Sequence, residues 1–187
     1  MTLSYRNFAA NIFILITFLL TGCASQPSAN FNPGYAFSDI QSYALFPRDH
    51  AINDVQRLSD FQRNRIELAI EEGMEALNYS YAEQEKADVV VSYFFVQSSL
   101  AELKAYNREV KACLVCTEKE QRTLNKNINT ETLIIDLLST KNMRSVYRKI
   151  SGLKMKPKNS SDENQQLIIE AVQHGLADLP MLTTPGK

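Results

Sequence analysis

The sequence predicts an α+β domain: a four-stranded, mainly antiparallel sheet with two helices on one face, in the order β-α-β-β-β-α. Three observations carry that prediction. Two segments, opening at Ser59 and at Ser160, join a capping box to apolar residues at a 3.6-residue period. Val89 to Val96 is apolar at both alternating sets of positions, as in a strand covered on both sides. Thr132 to Leu138 and Ser145 to Ser151 read as two strands hairpinned through a turn at Thr140 to Asn142. Helices kept apart from a run of consecutive strands are the α+β pattern.

The elements follow in chain order. Ser42 to Phe46, ended by Pro47, reads as a first strand, and Arg48 to Leu58 as a polar connection. Ser59 caps the first helix, with Gln62 completing the box. Ile66, Ala69, Ile70, Gly73, Met74 and Leu77 form its apolar stripe, with Phe61 near the start. Arg63, Arg65, Glu67, Glu71, Glu72 and Glu75 take the wet side, and Asn78 ends the helix in a left-handed turn. In Val89 to Val96, Val89, Val91, Tyr93 and Phe95 face one way, and Val90, Phe94 and Val96 the other with Ser92. Lys154 to Asn159 is a basic loop. Ser160 and Glu163 then cap a last helix, whose stripe runs from Leu167 to Leu179 before Pro180 stops it.

The residues between the second and third strands have no obvious element. A structureless loop of that length is uncommon in a compact domain. If Asp88 pairs with Ser139, the hairpin centre falls between Cys113 and Leu114. Both strands are then expected to continue outward as a ribbon near 100–130, with Cys113-Leu114-Val115-Cys116 at its tip.

The N-terminus reads as an export signal. Met1 to Ala10 carries Arg6 and no acid, and Ile12 to Leu20 is apolar apart from Thr17. That run is too short for a membrane-spanning helix, which needs about 20 residues. It closes in Leu20-Thr21-Gly22-Cys23, which resembles the lipobox of bacterial lipoproteins. The resemblance implies cleavage before Cys23 and acylation of that cysteine, so that residues 1–22 are a signal peptide and the membrane is the first partner. One acyl chain binds only marginally, so lasting attachment takes at least two; the diacylglycerol and amide-linked acyl group of bacterial lipoproteins would supply them. Residues 23–38, with Pro27, Pro33 and Gly34 and no apolar period, read as a tether. The single domain is expected over 39–180 and a short tail over 181–187. Ala24, where many inner-membrane lipoproteins carry Asp, points by analogy to the outer membrane, facing the periplasm.

Composition excludes some classes of partner. The formal net charge is −1 and no basic patch stands out, so there is no footprint for nucleic acid or for anionic lipid. Of three cysteines, the anchor leaves an even pair, Cys113 and Cys116. In an oxidising envelope such a pair suggests a disulfide closing a tight turn. A redox pair, a metal site and free thiols stay open beside it. The flanks lack the helix cap of a thioredoxin-type site. A structural zinc site needs four ligands, and the only histidines are His50 and His174, both remote in sequence.

His174 lies beside the stripe of the last helix, where a partly buried structural histidine is the expectation. Asp136 interrupts an apolar strand, and a salt bridge to Arg144 or Arg148 across the hairpin is expected. There is no phosphate loop, nucleophile elbow or zinc-protease motif. No catalytic residue, cofactor or metal ligand is therefore assigned.

Four strings in order resemble a bacterial lipoprotein family known as domain of unknown function 4136. They are Phe37-Ser38-Asp39-Ile40-Gln41-Ser42-Tyr43-Ala44-Leu45, Ala87-Asp88-Val89-Val90-Val91-Ser92-Tyr93, Thr132-Leu133-Ile134-Ile135-Asp136-Leu137 and Ser145-Val146-Tyr147-Arg148. Asp178-Leu179-Pro180 at the end of the last helix adds to the likeness, which covers roughly residues 31–180. The chain departs from it at Leu45 and Tyr147, where that family often has Trp, and at Glu131, where Gly is common. The resemblance implies an α+β domain in the cell envelope and transfers no activity. The function expected is a lipid-anchored, non-enzymatic binding or structural module with a protein or other envelope component as partner. The alternatives are a thiol-disulfide role for Cys113 and Cys116 and carriage of an envelope lipid.

Overall fold

The computed structural model describes residues 30–32, 34–48, 56, 58–97, 100–112 and 128–183. Its elements are β1 (Asn30–Phe31), β2 (Ser42–Leu45), α1 (Asp60–Ala76), β3 (Ser80–Tyr81), β4 (Val89–Val96), α2 (Leu100–Glu109), β5 (Thr132–Ser139), β6 (Arg144–Gly152) and α3 (Ser161–Leu176). The strands form one sheet in the order β1-β6-β5-β4-β2-β3.

The α+β class and the four long strands are as expected, but the sheet is mixed and larger. β4, β5 and β6 are antiparallel neighbours, while β2 runs parallel to both β4 and β3. The parallel pairs arise because α1 carries the chain back to the end of the sheet from which β2 started. Two short edge strands were not foreseen. One of them, Asn30–Phe31, lies inside the expected tether and pairs with Arg148 and Tyr147 of β6.

Both capped helices form as expected. Ser59 accepts from the Gln62 backbone and Ser160 from that of Glu163, each with the reciprocal side-chain bond of a capping box. Asn78, with φ 69°, ends α1. The Asn78 N–H donates to Glu75 and that of Tyr79 to Met74, which makes the end a Schellman motif. Arg63 and Glu67 depart from the expected wet side: they are buried. Arg63 donates to the carbonyl of Gln56, and Glu67 receives Arg48 and the hydroxyl of Tyr93. Phe61 is exposed instead, with the Arg65 guanidinium over its ring.

The sheet is covered on both faces. α1 and α3 pack on the side of Val89, Val91, Tyr93 and Phe95. They meet closely at Gly73, where a Cβ would lie 2.7 Å from Leu176 Cδ1. α3 meets the sheet at Gly175, where a Cβ would lie 2.5 Å from Ile135 Cδ1. The opposite face carries Val90, Phe94, Val96, Ile134 and Leu138 and is covered by Leu103 and Tyr106 of α2 and by Val110 just after it. The expected ribbon is therefore wrong over Leu100–Glu109, which is a helix, and the helices are not confined to one face. Its apolar residues recur at three- and four-residue steps and find a sheet face ready to bury them. The pairing differs by one residue from that expected, with Val89 rather than Asp88 opposite Ser139. The ribbon tip, Cys113 to Cys116, lies outside the described residues.

Candidate functional site

The most concentrated polar chemistry lies under α2. Asp136 on β5 sits directly opposite Arg148 on β6. Arg148, rather than Arg144, makes the expected bridge, through Nε to Oδ1 and Nη2 to Oδ2, both at 2.9 Å. The Tyr106 hydroxyl donates to Asp136 Oδ2 at 2.6 Å, and that of Ser145 to Oδ1 at 2.5 Å. Arg148 Nη1 also donates to Asn107 Oδ1 at 2.6 Å, and Ser92 Oγ lies 3.3 Å from the Tyr106 hydroxyl. Burial, then the negative charge of Asp136, hold the Tyr106 phenol well above its usual pKa, so it donates a proton without losing it. Asp136 is wholly buried and accepts four hydrogen bonds. No lone pair is left for a substrate, so the cluster fixes α2 on the sheet.

A second polar cluster closes the other face. The carboxylate of Glu67 receives Tyr93 Oη at 2.8 Å and Arg48 Nε at 2.9 and 3.1 Å. Arg48 Nη2 reaches Asn64 Oδ1 at 2.6 Å. Burial, then Glu67, raise the pKa of Tyr93. This group too is internally matched.

His174 borders an open cleft of about 690 Å³ that it shares with Thr132, Ser151, Lys154 and Glu170. Ser151 Oγ and His174 Nδ1 are 2.9 Å apart. A serine–histidine pair invites a nucleophilic reading, but Ser151 is buried and Asp178, the nearby carboxylate, is held by Lys149 at 2.8 Å. Burial, then Lys149, lower the pKa of His174. This is the structural histidine expected from its place on the helix.

Of the residues singled out in the sequence, Cys23, Cys113, Cys116 and His50 lie outside the described residues. Among the described residues no group of three or more His, Cys, Asp or Glu is placed to hold a metal. No described helix is long and apolar enough to cross a membrane.

The model of a domain of unknown function, DUF4136, matches residues 27–181. The chain belongs to the DUF4136 family. A DUF4136 family protein from Bacteroides thetaiotaomicron has a similar crystal structure, with a TM-score of 0.54 at 19% identity over 83% of this chain and 96% of that one. That likeness is one of fold. PelC dodecamers from Paraburkholderia phytofirmans are more distant, with TM-scores of 0.38 at 9% identity and 0.36 at 10%. Each covers 78% of this chain, and 95% and 93% of its own chain respectively. No curated protein matches the sequence.

The four strings that carry the DUF4136 likeness meet in pairs. Asp88 of the second string accepts from the Gln41 and Ser42 backbones and from the Ser42 hydroxyl of the first, at 3.0, 2.9 and 2.8 Å. Asp136 of the third string holds Arg148 of the fourth. Glu131, where Gly is common in that resemblance, has φ 64°, a conformation in which Gly carries no steric cost. What the strings encode at these points is a set of strand junctions.

Proposed function

We propose that this DUF4136 protein is a lipid-anchored envelope lipoprotein, held by acyl chains on Cys23 with its domain facing the periplasm. On this reading the domain is a binding or structural module without chemistry of its own. The observation that carries the reading is the string Leu20-Thr21-Gly22-Cys23 behind the apolar run Ile12 to Leu20. The polar clusters support the second half, since Asp136 and Glu67 spend their hydrogen-bonding capacity within the fold. Ala24 favours the outer membrane.

The test is fractionation of cells that produce the wild type or Cys23→Ser, followed by crosslinking in intact cells. The wild type is expected in the outer-membrane fraction with a specific crosslinked partner, and the variant is expected to leave the membrane. Crosslinking that recovers no specific partner would remove the binding role.

Cys113-Leu114-Val115-Cys116 supports a second reading, a thiol-disulfide role. Titration of the pair against glutathione separates the two. A structural disulfide stays oxidised, whereas a working pair is reduced and has a depressed thiol pKa. Carriage of an envelope lipid would require a continuous apolar cavity, detectable as copurified lipid beyond the anchor itself.

A further inference from the structure

We propose that the domain rests on the membrane by one end, where Lys154, Lys156, Lys158 and Phe61 meet anionic phospholipid headgroups. This rests on the reading of Cys23 as an acylated anchor, and adds to it which surface of the domain faces the bilayer.

Chain length is the first argument. A tether over residues 23–38 would leave the domain free to turn, but β1 fastens Asn30 to Arg148 of β6. Cys23 stands seven residues before Asn30, so the leash reaches at most about 25 Å. A folded domain of this size is on the order of 40 Å across. The leash is shorter than the domain, so only the surface near the exit of β1 stays beside the bilayer.

Strand direction then selects that surface. β1 is antiparallel to β6, so the chain enters Asn30 from the end of the sheet at which β6 finishes in Gly152. Arg148 lies four residues from Gly152, about 13 Å along the strand. About half of the leash remains beyond that end of the sheet. To bring down the opposite end, with Lys141 in the β5–β6 turn, the chain would have to double back past β1.

The chemistry of the selected end suits a headgroup layer. Lys154, Lys156 and Lys158 follow β6 directly and are exposed, while Met155 between them packs on the core. None of the three is ion-paired among the described residues. Phe61 is placed at the same end by Arg65, which lies over its ring and donates to the carbonyl and hydroxyl of Ser161 at the start of α3. Phe61 is 58% exposed. An exposed aromatic beside basic side chains combines apolar insertion with attraction to anionic lipid. Asp60, Asp162 and Glu163 also stand here, in the first turns of α1 and α3, where the positive ends of the helix dipoles offset them. Three lysines fall short of the roughly four to eight basic residues of a free polybasic lipid site. They orient a domain that the anchor already holds, in keeping with a composition that has no basic footprint of its own.

The chain has no tryptophan, so a single one reports its own surroundings. Phe61→Trp and, as a remote control, Tyr81→Trp both change exposed side chains. Each full chain is purified in detergent from bacterial membranes. It is reconstituted into vesicles of phosphatidylethanolamine and phosphatidylglycerol with acyl chains brominated just below the headgroups. Flotation with the vesicles reports the anchor, and bromine quenching reports which end faces the lipid. The chain is expected to float, with Phe61→Trp quenched and Tyr81→Trp not. Adding Lys154→Gln/Lys156→Gln/Lys158→Gln to Phe61→Trp is expected to lower the quenching about twofold with flotation unchanged. If the chain floats but both tryptophans are quenched alike, or the lysine changes have no effect, the proposal is overturned and the anchor stands. If the chain does not float, the anchor is overturned and the proposal with it.

Discussion

Asp136 and Arg148 face each other across the β5–β6 hairpin, both buried, joined by two hydrogen bonds of 2.9 Å. A buried ion pair adds little against a well-packed apolar pair, but removing one partner strands the other. Arg148→Met alone should therefore cost about 3–5 kcal/mol in urea denaturation, the usual cost of an uncompensated buried charge. Asp136→Leu combined with Arg148→Met should recover part of that loss, the remainder being the Tyr106 and Ser145 hydroxyls left without their acceptor. A single variant as stable as the wild type would mean that Asp136 is not held as described.

Gly175 is set by contact with the sheet. A Cβ there would lie 2.5 Å from Ile135 Cδ1 and 3.2 Å from its Cγ1. Gly175→Ala should cost about 1–3 kcal/mol, the range for overpacking a filled core. Ile135→Val removes Cδ1 and should soften that loss in the double variant. A thermal-melting cycle with no coupling between the two positions would contradict the close approach.

Glu131 is exposed and holds φ 64° at the entrance to β5. Its backbone bridges neighbouring strands, donating to Val96 and accepting from Leu153, each at 2.7 Å. A left-handed conformation costs a non-glycine residue roughly 1–2 kcal/mol. Glu131→Gly should raise the melting temperature despite the greater freedom it gives the unfolded chain. Calorimetry showing a lower melting temperature would place this backbone elsewhere.

The junction at Asp88 should be visible in the acid limb of stability. Partial burial alone would raise the pKa of Asp88, but the hydrogen bonds from Gln41 and Ser42 outweigh it and the net shift is downward. A carboxylate with a depressed folded pKa contributes stability that is complete above its unfolded value, about 3.9. That contribution fades as pH falls through the folded value. The effect should be small because Asp88 is exposed. Asp88→Asn should be less stable than the wild type at neutral pH, and the difference should narrow towards pH 2. A gap constant with pH would assign the loss to something other than the charge.

What the sequence made legible depended on how local the signal was. The two capping boxes and the Asp136–Arg148 bridge were readable because each is written within a single helix or hairpin. α2 was missed although Ser99 and Glu102 stand at capping-box spacing at its start, because Leu103 and Tyr106 make only a narrow stripe among charged residues. Glu67 looked solvated because its partners, Arg48 and Tyr93, come from other elements. The parallel pairing of β2 with β4 was hidden because no strand pattern states its own direction.

Whether this DUF4136 protein works as an anchored module rests first on Cys23. Intact-mass analysis of the chain purified from its own cell membranes tests that claim most directly. The expected product lacks residues 1–22 and begins at a Cys23 that carries acyl chains. A membrane-purified chain that retains residues 1–22, or begins at an unmodified Cys23, would contradict it.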